Sequence, residues 1–339
     1  MAVNTLTAHP IQVENAPQLP GLTFRGFRGE SDFPIMAEII TSANLADGEE
    51  QLVKAEQIQQ NYSHLQRSDA GKDLLFIEEN GNPLGYGRCM WDAESEGDHL
   101  YSFFIHMKAE GRDRGIGEAV GRYFMTRLKE YAAEHPAEVK KYYQTWGSSN
   151  QVWYGKLVEK LGFEPARYGI SMLRSCSQPI EVTPLPEGIE VRPIHPEHYR
   201  PVWDASVEAS RDHWGFVEHT EEDYKAWLNF PWFQPELWKV AWDGDQIVGM
   251  VCNFINHDDN EAFNRKRGYT ENISVRRPWR RQGAARSLLT QSIQMFIEMG
   301  MEETALGVDT QNLSGALDLY QSVGYVEDKR FITYRKPLN

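Results

Sequence analysis

Cysteine is scarce in this chain of 339 residues. Cys89, Cys176 and Cys252 lie far apart, with no CxxC pair and no Cys/His cluster at zinc spacing. A disulfide framework and a structural metal are both excluded as expectations. Positive charge is also short. Lys and Arg number 35 against 49 Asp and Glu, a net charge of −14. A general nucleic-acid binder would need a basic face that this balance does not supply. No apolar run approaches the roughly 20 residues of a membrane span. Met1 to Leu22 mixes Pro10, Pro17 and Pro20 with polar residues, and it lacks the basic start and apolar core of an export leader. A cytoplasmic protein without membrane or nucleic-acid partners is therefore expected. What remains is ordinary globular material, 41% hydrophobic and 25% charged. At about 100–200 residues per domain, its length suggests two domains.

The two domains read as copies of one another. Leu22 to Phe27 and Ile189 to Ile194 each alternate apolar and polar residues, as half-buried strands do. Leu74 to Ile77, a turn at Glu79–Asn82 and Pro83 to Gly87 form one hairpin pattern. Trp238 to Trp242, Asp243-Gly244-Asp245 and Gln246 to Met250 form the other. Two further apolar strands, Tyr101 to Met107 and Tyr269 to Val275, lead into glycine turns and helices. The first helix aligns Ile116, Val120, Tyr123, Phe124 and Leu128; the second aligns Leu288, Leu289, Ser292, Met295, Phe296 and Met299. Near each end, Asn150…Leu161-Gly162-Phe163 answers Asn312…Val323-Gly324-Tyr325. Between the copies, Cys176 to Gly188 holds three prolines and reads as an extended linker. The expected division is an extension at 1–21, a first domain at 22–177, a linker at 178–188 and a second domain at 189–339. The fold class is α/β, with strands and helices alternating in each copy.

The chemistry-bearing element is the strand–turn–helix around Gly283. A helix start offers unpaired N–H groups and the positive end of the helix dipole, which together attract a pyrophosphate. Gly283, Ala284 and Ala285 let phosphate oxygens approach the backbone. Arg276, Arg277, Arg280, Arg281 and Arg286 fall within eleven residues of an otherwise acidic chain. The plain alternative is a set of solvated arginines on a helix start. No G-x-x-x-x-G-K-[ST] is present, which excludes a P-loop. Gly115-x-Gly117 with Gly121 displaces the third glycine of a dinucleotide turn, and its strand comes late in the repeat, so a Rossmann site is not expected.

Arg280-Arg281-Gln282-Gly283-Ala284-Ala285 and Arg112-Asp113-Arg114-Gly115-Ile116-Gly117 resemble the R/Q-x-x-G-x-G/A signature of the GNAT (GCN5-related N-acetyltransferase) superfamily. Asn312 to Tyr325, with Leu313-Ser314-Gly315 and Leu319-Tyr320 inside it, is similar to that superfamily's N-x-x-[AG]-x-x-L-Y-x-x-x-G-[FY] element. Both motifs recur in order in both halves, so nearly the whole chain resembles a tandem-GNAT arrangement. The resemblance implies two GNAT-like domains, each a mixed, mostly antiparallel sheet flanked by helices. It implies acetyl-CoA or another acyl-CoA as cosubstrate, no metal and an amine acceptor. The pyrophosphate would sit on the backbone of Gln282 to Ala285. The pantetheine would lie along the strand carrying Ser274 and Val275, where it splays from the strand at Thr304 to Val308. Asn312 would shape the turn beside it. In the first copy Met107, Arg112, Arg114, Gly115 and Gly117 hold the matching positions.

Family pattern assigns Tyr320 as the acid for the departing thiolate and Glu271 as the base, with the Val275 N–H facing the oxyanion. Glu271 lies four residues before Val275, which puts both on one strand face. The simpler alternatives are a core tyrosine and a solvated strand-edge carboxylate. The first copy has Val158 in place of Tyr320 and Phe103 in place of Glu271, so it is expected to be catalytically weakened, either retaining CoA at its own turn or serving as a structural platform. Between Asp204 and Trp238, Trp214, Phe216, His219, Tyr224, Trp227, Phe230, Trp232 and Phe233 interleave with Asp212, Glu218, Glu221, Glu222 and Asp223. They either wall a site for a cationic amine or form an ordinary helical pair packed on the sheet. The reading is an acyl-CoA-dependent N-acyltransferase working from its second half. The alternative is a non-catalytic acyl-CoA sensor. Acceptor, acyl group and oligomeric state are left open.

Overall fold

Alternating apolar strands and amphipathic helices fold here into two units, seen in a computed structural model that describes residues 9–312 and 315–338. One unit comprises the chain up to Arg167 together with the stretch from Phe331; the other is Tyr168–Arg330. The first contains β1 (Leu22–Arg25), α1 (Phe33–Ala46), α2 (Ala55–Ser63), α3 (Ala70–Asp73), β2 (Leu74–Glu79), β3 (Asn82–Ala93) and β4 (His99–Met107). It continues through α4 (Ile116–Ala133), β5 (Lys141–Ser148) and α5 (Val152–Lys160), and β6 (Glu164–Ser175) then carries the chain into the second. The second follows the same order: β7 (Ile189–Arg192), α6 (Tyr199–Ser210), α7 (Glu221–Leu228), β8 (Lys239–Asp243), β9 (Gln246–Phe254), α8 (His257–Ala262) and β10 (Arg267–Val275). Then come α9 (Ala284–Glu298), β11 (Glu303–Asp309) and α10 (Ala316–Ser322), after which β12 (Val326–Pro337) returns the chain to the first unit.

Each sheet is antiparallel except at one place. In the first unit β1, β2, β3 and β4 pair antiparallel in sequence, and β4 then pairs parallel with β5. In the second, β7, β8, β9 and β10 do the same and β10 pairs parallel with β11. The sixth strand is where the chain departs from two consecutive copies. β5 takes Phe331–Pro337 of β12 as its other neighbour, while β11 takes Gly169–Ser175 of β6. Each unit is thus closed by a strand that the sequence order gives to the other copy. The expected break at residues 177–189 does not coincide with this division. Nor does residues 178–188 hang free: Thr183 bonds to Thr290 and Ser287 of α9, and Ile180 and Leu185 pack on that unit's core.

Periodicity locates the cores. Ile116, Val120, Phe124 and Leu128 of α4 are fully buried, as are Leu288, Leu289, Ser292 and Phe296 of α9. Met299, expected on the same face, is 44% exposed because α9 ends at Glu298 and the chain turns away. All three cysteines are buried and free, and the described residues contain no helix long and apolar enough to cross a membrane and no metal-binding cluster.

Candidate active site

In the second unit the parallel pair β10–β11 opens. The strands are in register from Arg267↔Glu303 to Tyr269↔Ala305 and no further. Three hydroxyls hold the fork of this splay. Tyr325 Oη lies 2.9 Å from Thr304 Oγ1 and 3.0 Å from Thr270 Oγ1, both wholly buried, and Thr270 also reaches the Ala305 carbonyl. Just past the fork β10 bulges. Its register with β9 shifts between Glu271 and Ser274, and Asn272 adopts φ 48, a left-handed conformation that asparagine tolerates better than most residues. The Asn272 side chain is fixed by Ser206 of α6. The bulge spends one extra residue, so Glu271 and Asn272 both turn to the α6 side while Thr270 and Ile273 face α9.

Glu271 stands inside the open fork, facing Gly307 of β11. Burial pushes its carboxyl up to about 7, against an opposing hydrogen bond from the Gly307 N–H. Tyr320, 5% exposed, comes from α10. Burial, then the Glu271 charge and Tyr325, push its phenol well above the ordinary tyrosine range, so it holds its proton at neutral pH. Glu271 thus titrates near neutrality beside a protonated phenol. Ser274 Oγ is buried and makes no hydrogen bond. Asn312 sits in the turn before α10, its N–H on the Asp309 carbonyl. Leu313 and Ser314 of the quoted motif lie outside the described residues.

The glycine turn follows β10. Gly283 caps α9 with φ 94, and no side chain caps the helix. A Cβ at Gly283 would meet nothing within 4 Å, so the backbone at the start of α9 is open to approach at this glycine, and the first-turn N–H groups have no intrahelical partner. Arg281 and Gln282 are exposed beside it, and Arg281 also has positive φ, at 63. Successive N–H groups in such a turn make an anion-binding concavity. The rest of the arginine cluster is spent on structure. Arg280 donates to the Val275 carbonyl, Asp212 and the Ala209 carbonyl at 2.9, 2.6 and 3.0 Å. Arg277 also binds Asp212, and Arg276 binds Glu208. Arg277 and Arg280 together hold the Asp212 carboxyl far below the usual range. Arg286 donates to Ser322 of α10. Asp212, one of the acids expected either to wall an amine site or to belong to a packed helical pair, locks the end of α6 to the end of β10.

The first unit repeats this clamp. Arg112 donates to the Met107 carbonyl, Asp47 and the Ala43 carbonyl at 3.0, 2.7 and 3.2 Å. Arg112 and Arg280 are therefore strand-to-helix ties, and their guanidinium groups do not reach the turn. The turn itself keeps its shape, with φ 80 at Gly115 and φ 56 at Asp113. Its surroundings differ. Asp113 puts a carboxylate where the second unit has Arg281, Pro17 of the N-terminal segment lies 4.0 Å from a Cβ at Gly115, and Arg114 is paired with Glu79. A Cβ at Gly117 would press on Leu157 at 3.0 Å, so that glycine serves helix packing. The fork between β4 and β5 is filled. Tyr154 of α5 places its phenol 2.5 Å from Thr145 Oγ1, and the Ile105 N–H bonds to it as well. Ala316 holds the corresponding place, four residues before Tyr320.

The residue that replaces the base in the first unit is not the expected Phe103. β4 carries no bulge: Met107↔Gly85 and Phe104↔Arg88 stand where Val275↔Gly249 and Glu271↔Cys252 stand in the second unit. Phe104, not Phe103, therefore occupies the place of Glu271. Phe103 faces α4 against Phe124, as Thr270 faces α9. One inserted residue in β10 displaces the alignment. Val158, fully buried, does hold the place of Tyr320.

The aromatic segment divides in two. Trp203, Trp227, Phe233 and Trp238 pack ring on ring at 5.0–5.4 Å and cover the sheet. Trp232, Phe254 and Tyr269 form a separate parallel stack, with centroids 5.4 and 4.7 Å apart. Tyr269 lies two residues before Glu271. The acids are largely paired within the segment: Glu218 with Arg211, Glu221 with Arg200, Glu222 with Lys225, while Asp223 caps α7 through Thr220.

Residues 203–325 match the Acetyltransferase (GNAT) family, a span that holds the bulge, the turn and Tyr320. The second unit carries the GNAT acetyltransferase domain, and the chain has the fold of two GNAT-like units. It is similar to the mycothiol acetyltransferase of Geodermatophilus obscurus, 26% identical over 78% of this chain and 82% of that protein. It is 25% identical to that of Streptomyces bingchenggensis over 89% and 93%. Across a shorter stretch, 31% of this chain and 53% of the relative, it is 34% identical to the N-alpha-acetyltransferase MAK3 of Arabidopsis thaliana. The fold superposes on a GCN5-related N-acetyltransferase from Sphaerobacter thermophilus with TM-score 0.70, covering 95% and 97% of the two chains at 24% identity. A tandem GNAT protein from the clavulanic acid biosynthesis pathway gives 0.65, covering 93% and 98% at 12% identity.

Proposed function

We propose that the second unit transfers an acetyl group from acetyl-CoA to an amine of a small molecule or peptide by direct attack. The observation that carries this reading is the open β10–β11 fork, with Glu271 titrating near 7 and a protonated Tyr320 beside it. The uncapped turn at Gly283 suits the pyrophosphate, with Arg281 adding charge and Gln282, Ala284 and Ala285 adding N–H groups. The free edge of β10 at Ser274 and Val275 suits strand-like pairing with pantetheine, and Asn312 shapes the neighbouring turn. Glu271 takes a proton from the acceptor ammonium or from the attacking amine, as the new C–N bond forms. The Val275 N–H is the donor available to the oxyanion. As the C–S bond breaks, Tyr320 gives its proton to the thiolate, and exchange with solvent resets both groups.

For the acceptor, the Trp232–Phe254–Tyr269 stack beside Glu271 supports a cationic amine, which aromatic faces attract. Peptide α-amines and the amine acetylated in mycothiol formation deserve first place in a panel, since the relatives' names point to them. Polyamines and aminoglycosides complete it. The first unit, with Phe104, Val158, a filled fork and Asp113 at its turn, serves as a non-catalytic partner that binds no acyl-CoA. Thiol release from acetyl-CoA across the panel tests the whole reading. Turnover with one amine class, reduced about 10²–10⁴-fold in Tyr320→Phe and Glu271→Gln, is expected. Acetyl-CoA binding without turnover for any amine would instead support the sensor.

A further inference from the structure

The first unit has a cavity on the sheet face that the second uses for Glu271. It measures about 260 Å³ and lies among α1, α2, β3 and β4. Alternation along β3 sends Tyr86 and Arg88 into it and Gly87 towards α4. Its walls are Ile40, Ile58, Tyr62, Tyr86 and Phe104, with Arg88 across the ladder from Phe104. The guanidinium sits over the rings of Tyr62 and Phe104, at 4.9 and 5.4 Å. Arg88 is half-buried; its Nε and Nη1 are withdrawn from solvent without a hydrogen-bond acceptor, and the buried Tyr62 hydroxyl has only this guanidinium as its neighbour.

This is unusual for the molecule. Buried Arg25 is forked onto Asp32 and reaches Glu78; buried Arg174 donates to the carbonyls of Val323, Ser175, Gln178 and Pro179. Arg88 is less deeply placed than these two, but a guanidinium cannot shed its charge, so nitrogens withdrawn from solvent without an acceptor are costly. The comparison between units shows what changed. The ladder pair Cys252↔Glu271 of the second unit is Arg88↔Phe104 in the first. A site that offers a base has become one that offers a cation.

We propose that this cavity binds a small organic carboxylate. The fork of Arg88 would take the two oxygens, and Tyr62 would donate to one of them. The aromatic and aliphatic walls would take a short apolar body. The volume lies below the roughly 300–1,000 Å³ of pockets for drug-sized ligands, which limits that body to a few carbons or one ring. A single cation with no second one lining the cavity suits a monoanion better than a phosphate dianion. His106, packed on Tyr86 and Phe104, is kept neutral by burial and adds no charge.

Benzoate and hexanoate, with neutral hexanamide as control, are titrated into the full-length protein by calorimetry and thermal shift. The expected result is saturable binding of one or both carboxylates and none of the amide. Arg88→Met should weaken that binding at least about tenfold, the loss of a charged hydrogen-bond pair. Phe104→Trp, which fills the cavity and keeps Arg88, should abolish it if Arg88→Met fails to fold. Neither carboxylate binding, the amide binding equally, or binding that survives both substitutions would overturn the proposal. A cooperative melting transition of each variant without ligand, read in the same thermal-shift experiment, gives the independent reading of folding.

Discussion

At the scale of single residues, Glu271 carries the sharpest expectations. Its folded pKa of about 7 lies above the ordinary carboxylate value of 4.5 because the charged form is desolvated. A base must be deprotonated to work, so kcat/KM should rise with pH and level off above an apparent pKa near 7. The Glu271→Gln variant should lose that rise together with most of its rate. Stability runs the other way. Between about 4.5 and 7 the folded protein keeps a proton that the unfolded chain has lost, so this group makes stability fall as pH rises through the window. Glu271→Gln removes the fall. Its melting temperature should exceed that of the parent above neutral pH, and the two should converge as the pH drops towards 4.5. A difference that stays constant over this range would place Glu271 in a solvated position.

At the scale of elements, the two glycine turns share a backbone and differ in what surrounds them. Gly283 opens onto free space beside Arg281, whereas Gly115 lies under Pro17 beside Asp113. Gly283→Trp should therefore abolish acetyl-CoA binding and turnover, while Gly115→Trp should leave most of both, as measured by calorimetry and thiol release. Equal losses would contradict the asymmetry between units. The hairpins, the α4 and α9 faces and both turns were legible in the sequence because periodicity and glycine report local backbone directly. The bulge was not, although an asparagine in the middle of a strand is a signal that could have raised it. Without it the first unit's counterpart of Glu271 was placed one residue early, at Phe103. The arginine cluster was legible as charge but not as structure. The acids that claim Arg276, Arg277 and Arg280 lie about 65 residues or more away in sequence, at Glu208 and Asp212. Tyr154 was missed as well, since nothing local marks a core tyrosine as the plug of a fork.

At the scale of the whole molecule, the exchange of closing strands decides which pieces of the chain can stand alone. A duplication read linearly suggests cutting near residue 178–188, because the prolines there resemble a linker. Such a cut leaves the second copy without Gly169–Ser175, the antiparallel neighbour of β11, and without buried Arg174, which ties Val323 to residues 175, 178 and 179. It also leaves the first copy without Phe331–Pro337, so β5 would present an open edge. Residues 168–330, by contrast, contain the second unit's strands β7–β11 with the part of β6 that pairs with β11, the bulge, the turn and Tyr320. Expressed alone, 168–330 should be soluble and release thiol from acetyl-CoA with the same acceptor class as the full chain. Residues 189–339 should aggregate or show no cooperative melting transition. Restoring 331–339 to 1–167 through a flexible linker should recover a folded first unit, seen as a cooperative transition absent from 1–167 alone. If 189–339 folds and turns over as well as 168–330, β6 contributes nothing essential, and the linear division would describe the second domain after all.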